Sequence, residues 1–118
     1  MTEDLLNQIK NHIKISEGLS LMPYEDTHQL LTIGYGRCLD IRGISKDEAE
    51  YLFKNDIDIA TKEVRKIINR FDDLPDQAKI VLVDLSFNLG ISKLLKFENF
   101  LDAIDVRDFS KACEELQN

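Results

Sequence analysis

Between Glu17 and Gly36 the chain reads Glu17-Gly18-Leu19-Ser20-Leu21-Met22-Pro23-Tyr24-Glu25-Asp26-Thr27, then Thr32-Ile33-Gly34-Tyr35-Gly36. Gly18 suits the end of a helix, because it adopts a left-handed cap without steric cost. Leu21 to Tyr24 and Leu30 to Ile33 read as short strands, and Glu25 to Gln29 as the turn between them. A helix end followed by a tight hairpin sets two carboxylates, Glu17 and Asp26, on either side of one extended segment. A threonine and a Gly-x-Gly turn follow. Two carboxyls in different surroundings suit acid/base hydrolysis of a glycosidic bond. One must stay protonated to serve the leaving oxygen, and the other must stay ionised to activate water or stabilise positive charge.

The rest of the chain reads as helix. Thr2 can cap a first helix over residues 2–16, with Leu5, Ile9 and Ile13 forming its apolar stripe. Ser45-Lys46-Asp47-Glu48 is a capping box opening a long helix to about Arg70, with one break expected near Asn55-Asp56. Pro75 stands near the start of the next helix, and Ala78 to Leu89 is apolar on most faces, which predicts a buried central helix ended by Gly90. Ser92 caps a short helix, Phe97 to Ile104 forms another, and Asp108 caps a last one through Leu116. The expected fold is α+β and mostly α. A small β-hairpin lobe (about 17–56) and a helical lobe (about 70–118, with helix 2–16) are joined by a long helix within one domain, with a cleft between the lobes.

Composition narrows the partners. The 118 residues, 43% hydrophobic and 31% charged, suit one folded domain with a modest core. The net charge of −7 argues against nucleic acid and anionic membrane surfaces. No apolar run is long enough to insert into a membrane. Met1 to Leu5 lacks the basic region and apolar core of a secretory signal, so a cytoplasmic site of synthesis is expected. Cys38 and Cys113 are isolated cysteines and His12 and His28 the only histidines, which argues against a zinc site.

The hairpin closely resembles the active-site hairpin of the phage-type lysozymes, the endolysins. Their pattern runs Glu-Gly, a Leu, a Tyr, Asp-Thr, then Thr-Ile-Gly-Tyr-Gly, and Glu17, Gly18, Leu21, Tyr24, Asp26, Thr27 and Thr32 to Gly36 fall in register. Ile44 to Phe53 with Asp56, and Ser86-Phe87-Asn88-Leu89-Gly90, extend the resemblance over essentially the whole chain. It implies a muramidase that hydrolyses the β-1,4 bond between N-acetylmuramic acid and N-acetylglucosamine in peptidoglycan, with inversion, leading to host cell lysis after release to the wall. Glu17 would be the acid, Asp26 the base or electrostatic partner, and Thr32 the holder of the attacking water. Gly34, Tyr35, Phe87 and Asn88 would contact the glycan. No metal or cofactor is implied.

Each residue also has a plainer reading: a solvated Glu17, Asp26 as a turn former, Thr32 as a β-branched strand residue, Tyr35 and Phe87 as packing. The chain also departs from the pattern. Gln29 stands where a turn glycine is common, so either the turn changes or strain is stored. Arg37 follows the Gly-x-Gly where a histidine is common, and Asp56 is its expected partner. The chain has no tryptophan, whereas the resembling proteins carry further Trp-rich helical turns that close the second lobe. An uncovered apolar face on the 75–89 helix is therefore expected, open to self-association or a partner. Two other functions compete with the enzyme. One is a lysozyme-like domain that binds glycan or protein without turnover. The other is a cysteine amidase using Cys38, which nothing in the sequence places beside a histidine.

Overall fold

In a computed structural model, which describes residues 1–117, the Thr2 hydroxyl accepts the Leu5 N–H at 3.1 Å and opens helix α1 (Glu3–Glu17). Gly18 closes α1 with φ +71°, its N–H donating to Lys14 O at 2.9 Å. Strand β1 (Ser20–Glu25) pairs antiparallel with β2 (Leu31–Gly34), with Tyr24 opposite Thr32 and Glu25 opposite Leu31. The register shifts between Ser20 and Tyr24, where Pro23 lacks the N–H that a regular ladder needs. Strand β3 (Arg37–Cys38) pairs with β2, giving the order β1-β2-β3, and a one-turn helix α2 (Leu39–Arg42) follows. Neither β3 nor α2 was visible in the sequence, because two to four residues carry no readable period.

The capping box forms as expected. Glu48 N–H donates to Ser45 Oγ (3.1 Å) and Ser45 N–H to Glu48 Oε1 (2.8 Å) at the head of α3 (Lys46–Ile67). The break anticipated near Asn55-Asp56 is absent: α3 runs unbroken. Asn and Asp cost an interior helix only fractions of a kcal/mol each. The apolar stripe that buries Ala60 and Val64 overrides that cost.

The chain divides into two compact units, Met1–Ala49 and Glu50–Asn118, with the boundary inside α3. The first unit holds α1, the three-stranded sheet and α2. The second holds the remainder of α3, a 3-10 turn at Phe71–Asp73, and helices α4 (Asp76–Leu89), α5 (Ile91–Leu94), α6 (Glu98–Asp105) and α7 (Phe109–Leu116). The Asp108 carboxylate caps α7 by accepting the Lys111 N–H at 3.1 Å. Val64, Ile68, Phe71, Leu74, Leu82, Leu94, Phe100, Leu101 and Ile104 form the core of this unit.

The central helix is less buried than its composition predicts. Only Leu82 and Ser86 of α4 are buried, and Ile80 is 57% exposed. An apolar helix shows which faces can be covered, but coverage depends on how many neighbours surround it. An apolar groove of about 320 Å3 runs past Pro75, Ala78 and Val81 to Phe100, Ile104 and Phe109. Among the described residues no helix is long and apolar enough to cross a membrane.

Candidate active site

Glu17 is the last residue of α1 and is exposed. Its carboxyl lies against Gly36: a Cβ built on that glycine would stand 2.8 Å from Glu17 Oε2 and 3.0 Å from Cδ. A side chain at this position would push the free end of the acid aside. Gly36 also has φ +82°, a conformation that glycine adopts freely. A second contact joins the same two segments, with Lys14 Nζ 5.1 Å from the centroid of the exposed Tyr35 ring. Gly34 likewise has a positive φ, +70°.

Asp26 sits at the end of β1 and organises the turn. Its Oδ1 accepts the His28 N–H at 2.8 Å and the Leu30 N–H at 3.0 Å, while its own N–H donates to Leu30 O at 2.9 Å. The Leu30 N–H bond, aided by the His28 N–H and the nearby His28 charge, holds the carboxyl below its ordinary pKa against a smaller opposing effect of desolvation. The plain turn-forming role is therefore present, and it leaves an ionised group whose Oδ2 makes no hydrogen bond among the described residues.

Thr32 lies on the central strand and is only 4% exposed. Its hydroxyl donates to Leu30 O at 2.9 Å. The Leu30 peptide thus touches both residues, its N–H and C=O bonded to Asp26 and the same C=O to Thr32. The hydroxyl's hydrogen is occupied inside the protein, and its lone pairs remain for an incoming donor.

The turn is closed by Gln29 at φ +63°, so the chain keeps a left-handed position without glycine there and carries the strain. The pairing expected for Arg37 is corrected. It bonds Glu48, not Asp56, through Nη1 to Oε1 (2.9 Å) and Nη2 to Oε2 (2.6 Å), with a further bond to Gly43 O at 3.0 Å. Arg37 first, then the Ser45 N–H and hydroxyl, hold the Glu48 carboxyl down at about 2. A planar guanidinium fits a carboxylate in two parallel bonds, and Glu48 is already oriented by the capping box. Sequence reading gave Glu48 its capping role and missed this second one. An arginine beside Gly-x-Gly, with a capping-box acid eleven residues on, was the available signal. Asp40 was also overlooked: its Oδ2 accepts the Leu31 N–H at 2.6 Å, at the start of β2.

Phe87 and Asn88 belong to the second unit, on α4. Phe87 is 42% exposed and meets Phe53 edge-to-face at 5.7 Å. The Asn88 amide donates to Asp84 O (3.0 Å) and Asp84 Oδ1 (2.8 Å), which leaves its own carbonyl oxygen as the free end. Cys38 and Cys113 carry free thiols, one in each unit. Among the described residues no group of three or more His, Cys, Asp or Glu is arranged to hold a metal.

A helix-end glutamate thus rests against a glycine turn, and an aspartate with a lowered pKa organises the neighbouring hairpin turn. Comparison with known proteins gives the class: the phage lysozyme family matches residues 14–118, and the chain belongs to it. Two proteins of Dictyostelium discoideum, probable T4-type lysozyme 1 and probable T4-type lysozyme 2, are each 24% identical to it over 143 aligned positions. Those alignments take in 97% of this chain and 84% of each relative. The family is one of lysozyme-type hydrolases, as the hairpin residues implied.

Proposed function

We propose that this protein is a muramidase that cleaves the β-1,4 bond between N-acetylmuramic acid and N-acetylglucosamine in peptidoglycan, with inversion at the anomeric carbon. Glu17 protonates the leaving oxygen, Asp26 acts as the base or charge-stabilising carboxylate, and Thr32 orients the attacking water. Gly34, Tyr35, Phe87 and Asn88 contact the glycan. The observation that carries this reading is the close approach of the Glu17 carboxyl to Gly36, which brings the acid to the turn that follows the strand bearing Thr32. The low pKa of Asp26 supports its share of the work, because a base must be ionised where the acid is still protonated. Lysis of a bacterial host follows if the protein reaches the wall, and the net charge of −7 makes that association slower at low salt.

One observation favours a second reading, a glycan-binding domain without turnover. Thr32 is buried and its hydroxyl hydrogen is bonded to Leu30 O, so access for a water is narrow. Reducing-end release from purified peptidoglycan by the native chain and by Glu17→Gln separates the two. Release that disappears in the variant supports the muramidase. Glycan binding without release by a cooperatively folded native chain supports the second reading and overturns the first.

A further inference from the structure

On the second unit, α3 and α4 flank an open recess of about 230 Å3 lined by Asp56, Ile59, Ala60, Glu63, Ser86 and Phe87. Asp56 and Glu63 are seven residues apart on α3, so their backbones stand about 10 Å apart on one face of the helix. Ile59 and Ala60 occupy the turn between them. The recess therefore has a carboxylate toward each end and an apolar floor in the middle, with the Phe87 ring as a wall that Phe53 holds by an edge-to-face contact. No basic residue lines it, and neither carboxylate has an ion-pair partner among the described residues.

Ser86 adds an independent sign of a ligand. It is 3% exposed, it lines the recess, and its hydroxyl has no hydrogen-bond partner. A serine inside a helix ordinarily donates back to the carbonyl four residues earlier when nothing better is available. This hydroxyl does not, and a buried hydroxyl left unpaired is costly. A group with N–H donors and positive charge in the recess would satisfy the hydroxyl and both carboxylates together. A divalent metal is a poor fit, since among the described residues no trio of His, Cys, Asp or Glu is arranged to hold one.

We propose that this recess binds a linear aliphatic diamine. Each ammonium meets one carboxylate, one of them also donates to Ser86 Oγ, and the methylene chain lies on Ile59, Ala60 and the face of Phe87. An ammonium carries three donors and no acceptor, which matches a lining whose polar atoms accept. The aromatic wall favours a cation further, and the net charge of −7 draws small cations toward the surface while repelling anions. Phe87 is shared with the proposed glycan contacts, whereas Glu17, Asp26 and Thr32 take no part in this recess.

The test is a titration of the whole chain with 1,5-diaminopentane, followed by backbone amide NMR shifts. Pentylammonium serves as the one-ended control and sodium chloride as the match for ionic strength. The expected result is saturable shifts confined to residues 56–63 and 86–87, with the diamine binding about tenfold tighter than the monoamine. Asp56→Asn and Glu63→Gln should each weaken it about tenfold. Ser86→Ala should weaken it several-fold while thermal unfolding shows the fold intact. Equal binding of monoamine and diamine, shifts that never saturate or that spread over the acidic surface, or unchanged binding in Ser86→Ala would overturn the proposal. If one carboxylate variant fails to fold, the other and Ser86→Ala still decide the outcome.

Discussion

The Glu17 carboxyl rests on the bare Cα of Gly36: one added carbon there would approach Oε2 to 2.8 Å. Gly36→Ala therefore meets two obstacles, a side chain at φ +82° and displacement of the acid. Gly90 has the same φ of +82° but nothing within 4 Å of an added Cβ. Both alanine variants should lose about 1 kcal/mol of stability in thermal or denaturant unfolding. Only Gly36→Ala should also lose activity, by at least about tenfold in reducing-end release per folded molecule, since small misplacement of a catalytic group is costly. Equal activities in the two variants would count against Glu17 as the acid.

Asp26→Asn keeps a carbonyl oxygen for the His28 and Leu30 N–H groups, so the turn should survive. The charge is lost. If Asp26 is the base, turnover should fall about 100-fold or more with little change in unfolding temperature. In the native enzyme, the acid limb of the activity profile governed by this carboxyl should lie below its ordinary value of 3.8. A variant with native turnover would reduce Asp26 to a turn former.

The Arg37–Glu48 pair should make stability depend on acid. The folded-state pKa of Glu48 is depressed from 4.5 to about 2, so its contribution is present above the higher value and is lost as pH falls through that window. Glu48→Gln should flatten the stability profile there. A double-mutant cycle of Arg37→Ala with Glu48→Ala should be non-additive, and one with Asp56→Ala additive. The reverse pattern in the unfolding data would return Asp56 to the partnership first expected from the sequence.

Gln29→Gly removes a left-handed strain at φ +63° but gives the unfolded chain more freedom. The net effect should be stabilisation by about 0.5 kcal/mol, seen as a rise of a few degrees in the unfolding temperature. A fall would mean that the exposed Gln29 side chain contributes contacts of its own.

Leu82 is fully buried, whereas Ile80 on the same helix is 57% exposed. Leu82→Ala should cost about 2–5 kcal/mol of stability and Ile80→Ala much less. Similar losses at both sites would show that the face bearing Ile80 is covered in solution.

What was legible in the sequence was local. Thr2, Ser45 with Glu48, and Asp108 announce helix starts because a side-chain oxygen satisfies nearby backbone donors whatever the rest of the molecule does. The spacing of Glu17, Asp26, Thr32 and the Gly-x-Gly residues carried the family, and the caps and apolar periods carried the mostly helical fold. Tertiary structure decided which groups meet. Arg37 was expected to meet Asp56, and the path of the chain through β3 and α2 brought it to Glu48 instead. The burial of α4 depended on how many helices surround it, which its own composition cannot encode. The seating of Glu17 on Gly36 joins residues nineteen apart, across a strand register that shifts between Ser20 and Tyr24. Local chemistry fixes caps, turns and periods, but contacts between distant residues depend on the summed geometry of every element in between.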